Sequence, residues 1–383
     1  MRLLAVLIIY EAPGPLARVP NNQPIMPIFN SDSIQAVALH RVGVKASEEG
    51  LVLSSAPLPL TEQLQDLLVR YFISPFKAEE YYNFYHDDHL EMNEVYRHVS
   101  NIFGDPDCLL SESQHIARWL YEQGLHPNIK GGDFFVVYFS DCQFNGETTQ
   151  AVGLFKSENK ESFLKVMHSE EQWSRQQGDD TATSEYRLEV HQGINVNKLD
   201  KGALVFNLEP DKGYVVGTVD ATNRGVDAAY WRDGFLQIRQ RQDEYYQTHE
   251  VMQAYKKFVT DELPQQFEVS KADQADMLSR SVKFFKQNEN FDMDDFARDV
   301  LEQPDVIDSF QQYRQTYERE NDVQLPDQFD ISESAVKKQA RAFKSVIKLD
   351  KNFHIYVHGD RKLIEQGEDE KGKYYKVYYR EES

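Results

Sequence analysis

The order of hydrophobic and polar positions divides the chain into a strand-rich first part and a helix-rich second part. Up to about residue 242, apolar residues alternate with polar ones or form short runs that end at Gly, Asn or Asp, which is typical of β-strands. After Asp243, apolar residues recur at three- and four-residue spacing, which is typical of helices. The pattern predicts an α+β protein: an N-terminal domain of mixed helices and mainly antiparallel sheet, followed by a helical region that ends in a basic helix and β-strands.

The predicted domain boundaries follow from this division. Residues 26–242 are expected to form the α+β domain, and residues 243–383 the helical domain with the basic helix and the terminal strands. Residues 1–25 contain an apolar run that is too short to span a membrane as a helix, followed by a proline-rich stretch. We interpret them as an extension, disordered or upstream of the true start at Met26, with a signal peptide as the alternative.

Three helices are predicted in the α+β domain from apolar spacing and end signals. The first covers residues 64–72 and stops before Pro75, and the second covers residues 94–103. The third opens at Ser111, which has Gln114 three residues later as in a capping box.

The strands of this domain are predicted from short apolar runs. The unbroken run at residues 134–139 indicates a strand that is buried on both faces. Asn145 and Gly146 are the strongest short hairpin signal in the chain. Further strands are expected at residues 151–155, 186–190, 203–207, 214–219 and 235–238, with a polar loop at 168–184.

The second domain is predicted to be helical with strands near its end. Ser270 and Asp273 match a capping box, and Pro304 stands where a helix can begin. The expected helices cover residues 251–258, 270–287, 296–301 and 306–317, and the expected strands cover residues 353–358 and 373–379.

Charge changes this picture at one place. The formal net charge is −21 and the pI is about 5.0, so the chain cannot coat DNA by bulk charge and phosphate contact must be local. Residues 335–351 hold six Lys or Arg against one Asp. Lys337, Arg341, Lys344 and Lys348 follow helical spacing beside the apolar stripe Val336, Ala340, Phe343 and Ile347.

This basic segment is the predicted nucleic-acid site. We expect an amphipathic helix, capped by Ser332 or Ser334, whose candidate phosphate-binding residues are Lys337, Lys338, Arg341, Lys344, Lys348 and Lys351. Four phosphate contacts would give a slope near −3.6 in log K against log salt. The alternative is an ordinary solvated face. The acidic segment 292–333 directly precedes the helix and could mask it, or could itself engage a basic protein surface as a DNA mimic.

Two other constellations suggest metal chemistry more weakly. His86 and His89, with His98 nearby, would suit a metal if they shared a helix face, although an ordinary aromatic-rich helix or turn is the simpler interpretation. Glu158 and Lys160, with Asp133 and Asp141 at the preceding strand, resemble the acid and Glu-x-Lys pattern of metal-dependent nucleases, although a polar turn explains them equally.

Lysines around the predicted sheet offer a second phosphate patch, or are merely lysines at strand ends. They are Lys130, Lys156, Lys160, Lys165, Lys198 and Lys201. Two cysteines, Cys108 and Cys142, are too few for a disulfide framework and do not form a metal-spaced pair, which fits a reducing cytosol. No nucleotide-binding or nucleophile motif is present, so neither a cofactor nor an enzyme activity is predicted.

Several strings together carry a family resemblance. They are YFISPFK (71–77), NIKGG (128–132), GLFKSENK (153–160), NKLDKG (197–202), FEVSKADQAD (267–276) and the basic segment running into NFHI (352–355). Through them the chain resembles the 37-kDa family of bacterial nucleoid-associated proteins, and most closely its acidic Bacteroidetes-type members, over about residues 30 to 383.

The resemblance implies a cytoplasmic, nucleoid-located protein that associates with DNA and that partners type II topoisomerases. It supplies no catalytic motif and no cofactor. RNA as the nucleic acid and a homodimer remain open, and no membrane partner is expected. The alternatives to a non-enzymatic DNA-binding protein are a protein-binding adaptor acting on a topoisomerase and, third, a metal-dependent nuclease.

Overall fold

The structure is a computed structural model. The described residues are 27–76, 80–126, 128–168, 186–221, 230–343, 346–348, 354–356, 363–370 and 372–379. The predicted N-terminal extension and almost all of the predicted loop at 168–184 lie outside them.

An eight-stranded antiparallel sheet organises the first part of the chain. Its strands, in chain order, are β1 (Ile34–Val42), β2 (Leu51–Val52), β3 (Tyr82–Phe84), β4 (Gly132–Phe144) and β5 (Glu147–Ser157), then β8 (Lys201–Phe206), β9 (Val215–Asp220) and β10 (Ile238–Gln240). Across the sheet the order is β10-β3-β9-β8-β5-β4-β1-β2. Asn145 and Gly146, both at positive φ, form the predicted hairpin turn between β4 and β5.

Strands β6 (Glu161–His168) and β7 (Tyr186–Gly193) form a separate two-stranded ribbon. They are inserted between β5 and β8 in the chain, and they pair with each other over their full lengths. Neither strand joins the eight-stranded sheet.

Helices cover both faces of the central strands. α1 (Glu62–Ile73) packs against one face, where Phe72 stacks on Phe155 with ring centroids 4.2 Å apart. α2 (Glu94–Gly104) and α3 (Leu109–Glu122) pack against the other face. Residues 134–139 are therefore all buried, alternating between the two layers, which confirms the prediction for this run.

Two sequence predictions in this part were wrong. α3 begins at Leu109 rather than at Ser111, whose hydroxyl donates to the Cys108 carbonyl inside the first turn, so no Ser111 capping box forms. The strand expected at 235–238 is a π-helical turn, Tyr230–Leu236, followed by β10. Trp231, Phe235 and Leu236 are all buried, and their spacing of four and five residues is helical rather than alternating.

The second part of the chain is helical, as predicted, and its aromatic residues form a core of their own. Ser270 and Asp273 form the predicted capping box, and Pro304 opens its helix. The helices are α4 (Glu244–Lys257), α5 (Leu263–Gln266), α6 (Lys271–Gln287), α7 (Met293–Phe296), α8 (Pro304–Asn321) and α9 (Glu333–Ala340), with π-helical turns at Phe258–Glu262 and Ala297–Leu301.

Short antiparallel pairs complete the second part. They are β11 (Asn290–Asp292) with β12 (Gln328–Asp330), β13 (Val346–Lys348) with β14 (His354–Tyr356), and β15 (Ile364–Asp369) with β16 (Gly372–Val377). The α+β fold class is thus confirmed, while the domain boundary between residues 242 and 243 stays a prediction.

The predicted basic helix over residues 335–351 is shorter than expected. α9 ends at Ala340, and Val346–Lys348 form a strand instead. The β-branched pair Val346 and Ile347 favours this, and the facing strand β14 supplies the backbone hydrogen-bond partners. The predicted apolar stripe holds as far as Phe343, since Val336 and Phe343 are both buried in the helical core.

Candidate nucleic-acid interface

Helix α9 carries the first cations of the predicted site. Ser332 caps it, because its hydroxyl accepts a hydrogen bond from the Ala335 amide at 3.4 Å. Ala335, Val336 and Gln339 are buried, which turns Lys337 and Lys338 outward with side chains 70% and 53% exposed. The amphipathic character predicted from spacing is therefore present over the eight residues of the helix.

Lys338 joins the helical part of the molecule to the sheet. Its ammonium group forms an ion pair with Glu80, which precedes β3, and it lies 5.5 Å from the centre of the Tyr245 ring. The Tyr245 hydroxyl also donates to the Glu80 carboxylate, at 3.1 Å. Partial burial disfavours the charge on Lys338, but the hydrogen bonds with Glu80 and Tyr245 outweigh it and raise the pKa of Lys338 above its ordinary value.

Glu80 shows the matching shift. Partial burial alone would raise its pKa, but the hydrogen bond from Lys338 and the charge on that residue lower the pKa of Glu80 below its ordinary value. Both groups are therefore ionised across the neutral range, and the pair is a fixed contact between α9 and the sheet.

An arginine that the sequence argument missed lies next to this contact. The Arg232 guanidinium lies 5.9 Å from the centre of the Tyr82 ring. Burial and then the charge of Glu80 raise the pKa of the Tyr82 hydroxyl, whereas the hydrogen bond and charge of Arg232 and the charge of Lys338 oppose that rise. Tyr82 is half-buried, so Arg232 and this ring place a cation beside partly accessible aromatic surface, as in sites that contact nucleic-acid backbones and bases. Only the fold brings Arg232 here, since it lies far from α9 in the sequence.

The remaining cations near α9 differ in how they are paired. Lys337 forms an exposed ion pair with Glu333, one turn earlier, at 3.3 Å. Arg341 is exposed directly after the helix and, within the described residues, forms no ion pair. At the end of α4, Lys256 lies 6.0 Å from the centre of the ring of Phe343, which places a further cation near the residues that follow α9. We define the α9 patch as Lys337, Lys338, Arg341, Arg232 and Lys256.

Of the other three predicted site residues, only Lys348 lies within the described part of the chain. Lys348 lies in strand β13, so its predicted helical spacing from Arg341 was wrong. Lys344 and Lys351 lie outside the described residues. A four-cation stripe along one helix face is therefore not formed, although all three residues remain predicted contributors from the segment that follows α9.

The lysines of the predicted second phosphate patch are not gathered on an open surface. Lys156 and Lys201 face each other on β5 and β8 and are each 1% exposed. Lys156 pairs with Glu158 at 2.9 Å, and Lys201 pairs with Asp220 at 2.8 Å. Of the others, Lys130 donates to Asn159, Lys160 pairs with Asp133, Lys198 pairs with Glu161, and Lys165 is exposed on the β6–β7 ribbon.

The structure brings together part of the metal-dependent nuclease arrangement, since Lys160 pairs with Asp133, which lies opposite Ser157 next to Glu158. The Glu158 side chain is 3% exposed and is tied to Lys156. Asp133 and Asp141 lie near opposite ends of β4, about 26 Å apart at the usual rise of a strand. No group of three or more His, Cys, Asp or Glu side chains in the described part of the chain is placed to hold a metal ion.

The histidines proposed as metal ligands are also separated. His86 and His89 lie in a loop rather than on a helix, and the His86 ring accepts a hydrogen bond from the Asp88 amide at 3.2 Å. His98 lies in α2 and contacts Glu112 of α3 at 2.6 Å. Its partners are those of a buried structural histidine between two helices.

The acidic segment 292–333 neutralises part of its own charge. Arg298 pairs with Asp295 and Asp299, and Arg314 pairs with Asp327. Among the described residues, its ion pair with the α9 patch is the one between Glu333 and Lys337.

Comparison with known families decides the identity of the chain. The sequence pattern of one family, described as "Nucleoid-associated protein YejK", matches residues 38–372. The chain belongs to this family of nucleoid-associated proteins. The match starts inside β1 and ends at the start of β16. It therefore includes the eight-stranded sheet, the helical part and the α9 patch. It confirms the family resemblance found in the sequence strings.

Two further findings accompany this assignment. A search of curated proteins finds no match to the chain. Among the described residues, none of the helices has the length and apolar character needed to cross a membrane.

Proposed function

We propose that this nucleoid-associated protein binds nucleic-acid phosphates through the α9 patch and the basic segment that follows it, and that it does so without catalysing a reaction. The observation that carries the proposal is the exposed cluster of Lys337, Lys338 and Arg341 in a chain of net charge −21. Family membership supports it, since the family is nucleoid-associated. A cytoplasmic, nucleoid location belongs to the same proposal.

Local charge determines how such a protein would bind. Phosphates attract the cations and release condensed counterions, which drives association. The acidic remainder of the surface repels the same backbone, so contact is confined to the patch. Tyr82, which is half-buried beside Arg232, offers some aromatic surface to sugars or exposed bases, whereas Tyr245 is buried. Because no base-reading geometry is involved, we expect binding that is weakly dependent on sequence.

The test compares two double variants with the same charge change. Lys337→Gln/Arg341→Gln removes two exposed cations of the α9 patch. Lys45→Gln/Lys212→Gln removes two exposed cations of the sheet part, whose side chains are 43% and 74% exposed and pair with Glu122 and Glu209. Fluorescence anisotropy with a labelled duplex should show weakened binding for the first variant only. Equal losses in both variants would mean that only net charge matters, and no loss in either would remove the α9 patch from the interface.

The alternative is an adaptor that contacts a type II topoisomerase through the acidic segment 292–333. Asp294, Asp305 and Asp308 are exposed there and, within the described part of the chain, form no ion pair. Such carboxylates suit a basic protein groove. Association with a purified topoisomerase that survives nuclease treatment, and that is lost on Asp305→Asn/Asp308→Asn, would favour the adaptor over direct DNA contact.

A further inference from the structure

The hairpin of β15 and β16 exposes tyrosines on one of its two faces. Tyr374 and Tyr378 are 43% and 41% exposed, and because side chains alternate between the faces of a strand, these two share a face. Tyr375, on the opposite face, packs with the buried Ile364 beside Ala272 of α6. The hairpin therefore has one face that packs on the helical part and one face that is open to solvent.

The neighbouring strand fixes the position of the Tyr374 ring. Gly367 of β15 lies directly across from Tyr374, and a Cβ atom on that glycine would clash with the tyrosine ring. The ring therefore lies over the backbone of the glycine, and a side chain at position 367 would displace it. A ring that rests on backbone with one side presents its other side to solvent.

The Tyr378 ring is held by hydrogen bonds. Its backbone amide donates to the Leu363 carbonyl at 2.8 Å, and its hydroxyl donates to the Glu365 carboxylate at 2.9 Å. Lys376 lies between the two tyrosines on the same face, with its ammonium group 5.0 Å from the centre of the Tyr378 ring. Two positioned rings thus flank a cation, and we define Tyr374, Lys376 and Tyr378 as the tyrosine platform.

Charge favours an anionic partner along the β16 side of the hairpin. In the sequence, residues 371–380 hold four Lys or Arg and no Asp or Glu, whereas the whole chain carries −21. The carboxylates of the hairpin lie on β15 and in the turn: Glu365, Glu368, Asp369 and Glu370. Glu365 pairs with Lys376 at 3.8 Å, and both side chains are more than half exposed. A phosphate can therefore replace this carboxylate at little cost.

Exposed aromatic rings distinguish between the forms of nucleic acid. The bases of a duplex are stacked on one another, whereas unpaired bases are free to stack on aromatic side chains, with little dependence on sequence. Tyr374 and Tyr378 are four residues apart, about 13 Å at the usual rise of a strand. Each ring can therefore take its own base while Lys376 meets the backbone between them.

We propose that the tyrosine platform binds unpaired bases of single-stranded DNA or RNA, one base on each ring, with Lys376 on the intervening phosphates. The proposal rests on the proposed function only in taking nucleic acid as the partner. The α9 patch contacts phosphates of any strand, and the platform adds affinity for single-stranded segments. Each of the two sites can fail without the other.

Fluorescence anisotropy of the full chain with labelled oligothymidylate, and with a labelled duplex of the same length, is the first test. Tyr374→Ala/Tyr378→Ala should weaken single-strand binding about 30-fold, the loss expected for two stacked bases, and leave duplex binding unchanged. Tyr374→Phe/Tyr378→Phe keeps both rings and should bind like the wild type. Single-strand affinity that the alanine variant retains would overturn the proposal and leave the tyrosines as a surface for another partner.

An abasic strand separates contact with bases from contact with phosphates, and it needs no variant that could misfold. It carries the same backbone charge as oligothymidylate but has no bases to stack. The wild type should therefore bind it about 30-fold more weakly than oligothymidylate, and the alanine variant should bind both strands equally. Equal binding of the two strands by the wild type would contradict the proposed stacking.

The α9 variant distinguishes failure of the platform from failure of the proposed function. Lys337→Gln/Arg341→Gln should lower duplex affinity and leave the wild-type ratio between oligothymidylate and the abasic strand unchanged. An unchanged duplex affinity with that ratio intact would remove the α9 patch and keep the platform, and a ratio of one would do the reverse. Oligouridylate beside oligothymidylate identifies the source of the bases, because the alanine variant should lose more affinity for the strand that the platform prefers.

Discussion

Lysines play opposite roles in the two parts of the molecule. In the sheet, Lys156 and Lys201 are 1% exposed, and each pairs with its own carboxylate. On α9, the Lys337 side chain is 70% exposed and its pairing with Glu333 is open to water. A buried, paired lysine holds a fold together and is closed to phosphate, whereas an exposed one can exchange its carboxylate for a phosphate at little cost.

The buried pairs belong to a row of side chains that crosses the sheet. His40, Phe134, Lys156, Lys201 and Asp220 face one another on successive strands. Burial lowers the pKa of Lys156, and Glu158 opposes that shift. The Lys156 ammonium also donates to the Lys130 carbonyl at 2.6 Å, so its position is fixed from two sides.

Breaking a buried pair should have the largest effect. Lys156→Ala leaves the Glu158 carboxylate buried without its cation, so we expect the free energy of unfolding to fall by about 3–5 kcal/mol. Urea unfolding followed by circular dichroism measures this. The double variant Lys156→Met/Glu158→Gln removes both charges and should recover most of the loss. A loss below about 1 kcal/mol for Lys156→Ala would show that this pair is not structural.

Acid should weaken the sheet through His40. Burial, and next the charge of Arg118, lower the pKa of His40 from 6.5 to about 4. The unfolded chain binds this proton more readily than the folded one does. The contribution of neutral His40 to the free energy of unfolding is therefore complete above pH 6.5, and it falls by up to roughly 3 kcal/mol as the pH drops toward 4. Unfolding at several pH values measures the slope.

A variant separates His40 from other acid-sensitive groups. His40 accepts a hydrogen bond from the Ser54 amide at 3.1 Å and contacts the Ser113 hydroxyl at 3.0 Å. His40→Gln lacks the titration, so its stability should change less between pH 6.5 and 4, whatever its starting value. The same slope in both proteins would assign the acid sensitivity elsewhere.

Removing exposed cations of the α9 patch should weaken DNA binding and leave the stability of the fold nearly unchanged. Losing two phosphate contacts in Lys337→Gln/Arg341→Gln should flatten the salt slope by about 1.8 and weaken binding roughly 60-fold at 0.1 M monovalent salt. Thermal unfolding should be nearly unchanged, because both side chains are exposed. A large loss of stability would place these residues with the buried lysines.

The smallest effect is expected where the two parts meet. Glu80→Gln removes the anion that pairs with Lys338, a contact that water partly screens, so the free energy of unfolding should fall by no more than about 1 kcal/mol. The same change frees Lys338 and should tighten DNA binding slightly. If binding tightens but the free energy of unfolding falls by more than about 2–3 kcal/mol, Glu80 has a larger structural role than a screened ion pair.

The fold class and most elements could be predicted because they depend on local periodicity. The run at residues 134–139, the hairpin at Asn145 and Gly146, and the capping box at Ser270 are all readable from neighbours in the chain. The π-helical turn Tyr230–Leu236 is not readable from the sequence, because the apolar residues at 235–238 fit a short strand as well as a helix. The end of α9 is not readable either, because the helical spacing of residues 335–351 continues through Val346 and Ile347, whose preference is for a strand.

The candidate site could be predicted only in part. Lys337, Lys338 and Arg341 follow from their spacing, but their exposure and pairing depend on residues distant in sequence, such as Glu80. Arg232 and Lys256 join the patch through tertiary packing alone. The lysines of the sheet looked equally suitable by composition, and only burial separates them from the α9 patch.

The salt dependence of duplex binding by the wild-type protein tests the central claim most directly. Two phosphate contacts through Lys337 and Arg341 predict a slope of about −1.8 in log K against log salt, and steeper if Lys338, Lys344, Lys348 and Lys351 also contribute. A slope near zero, or one that Lys337→Gln/Arg341→Gln leaves unchanged, would contradict it.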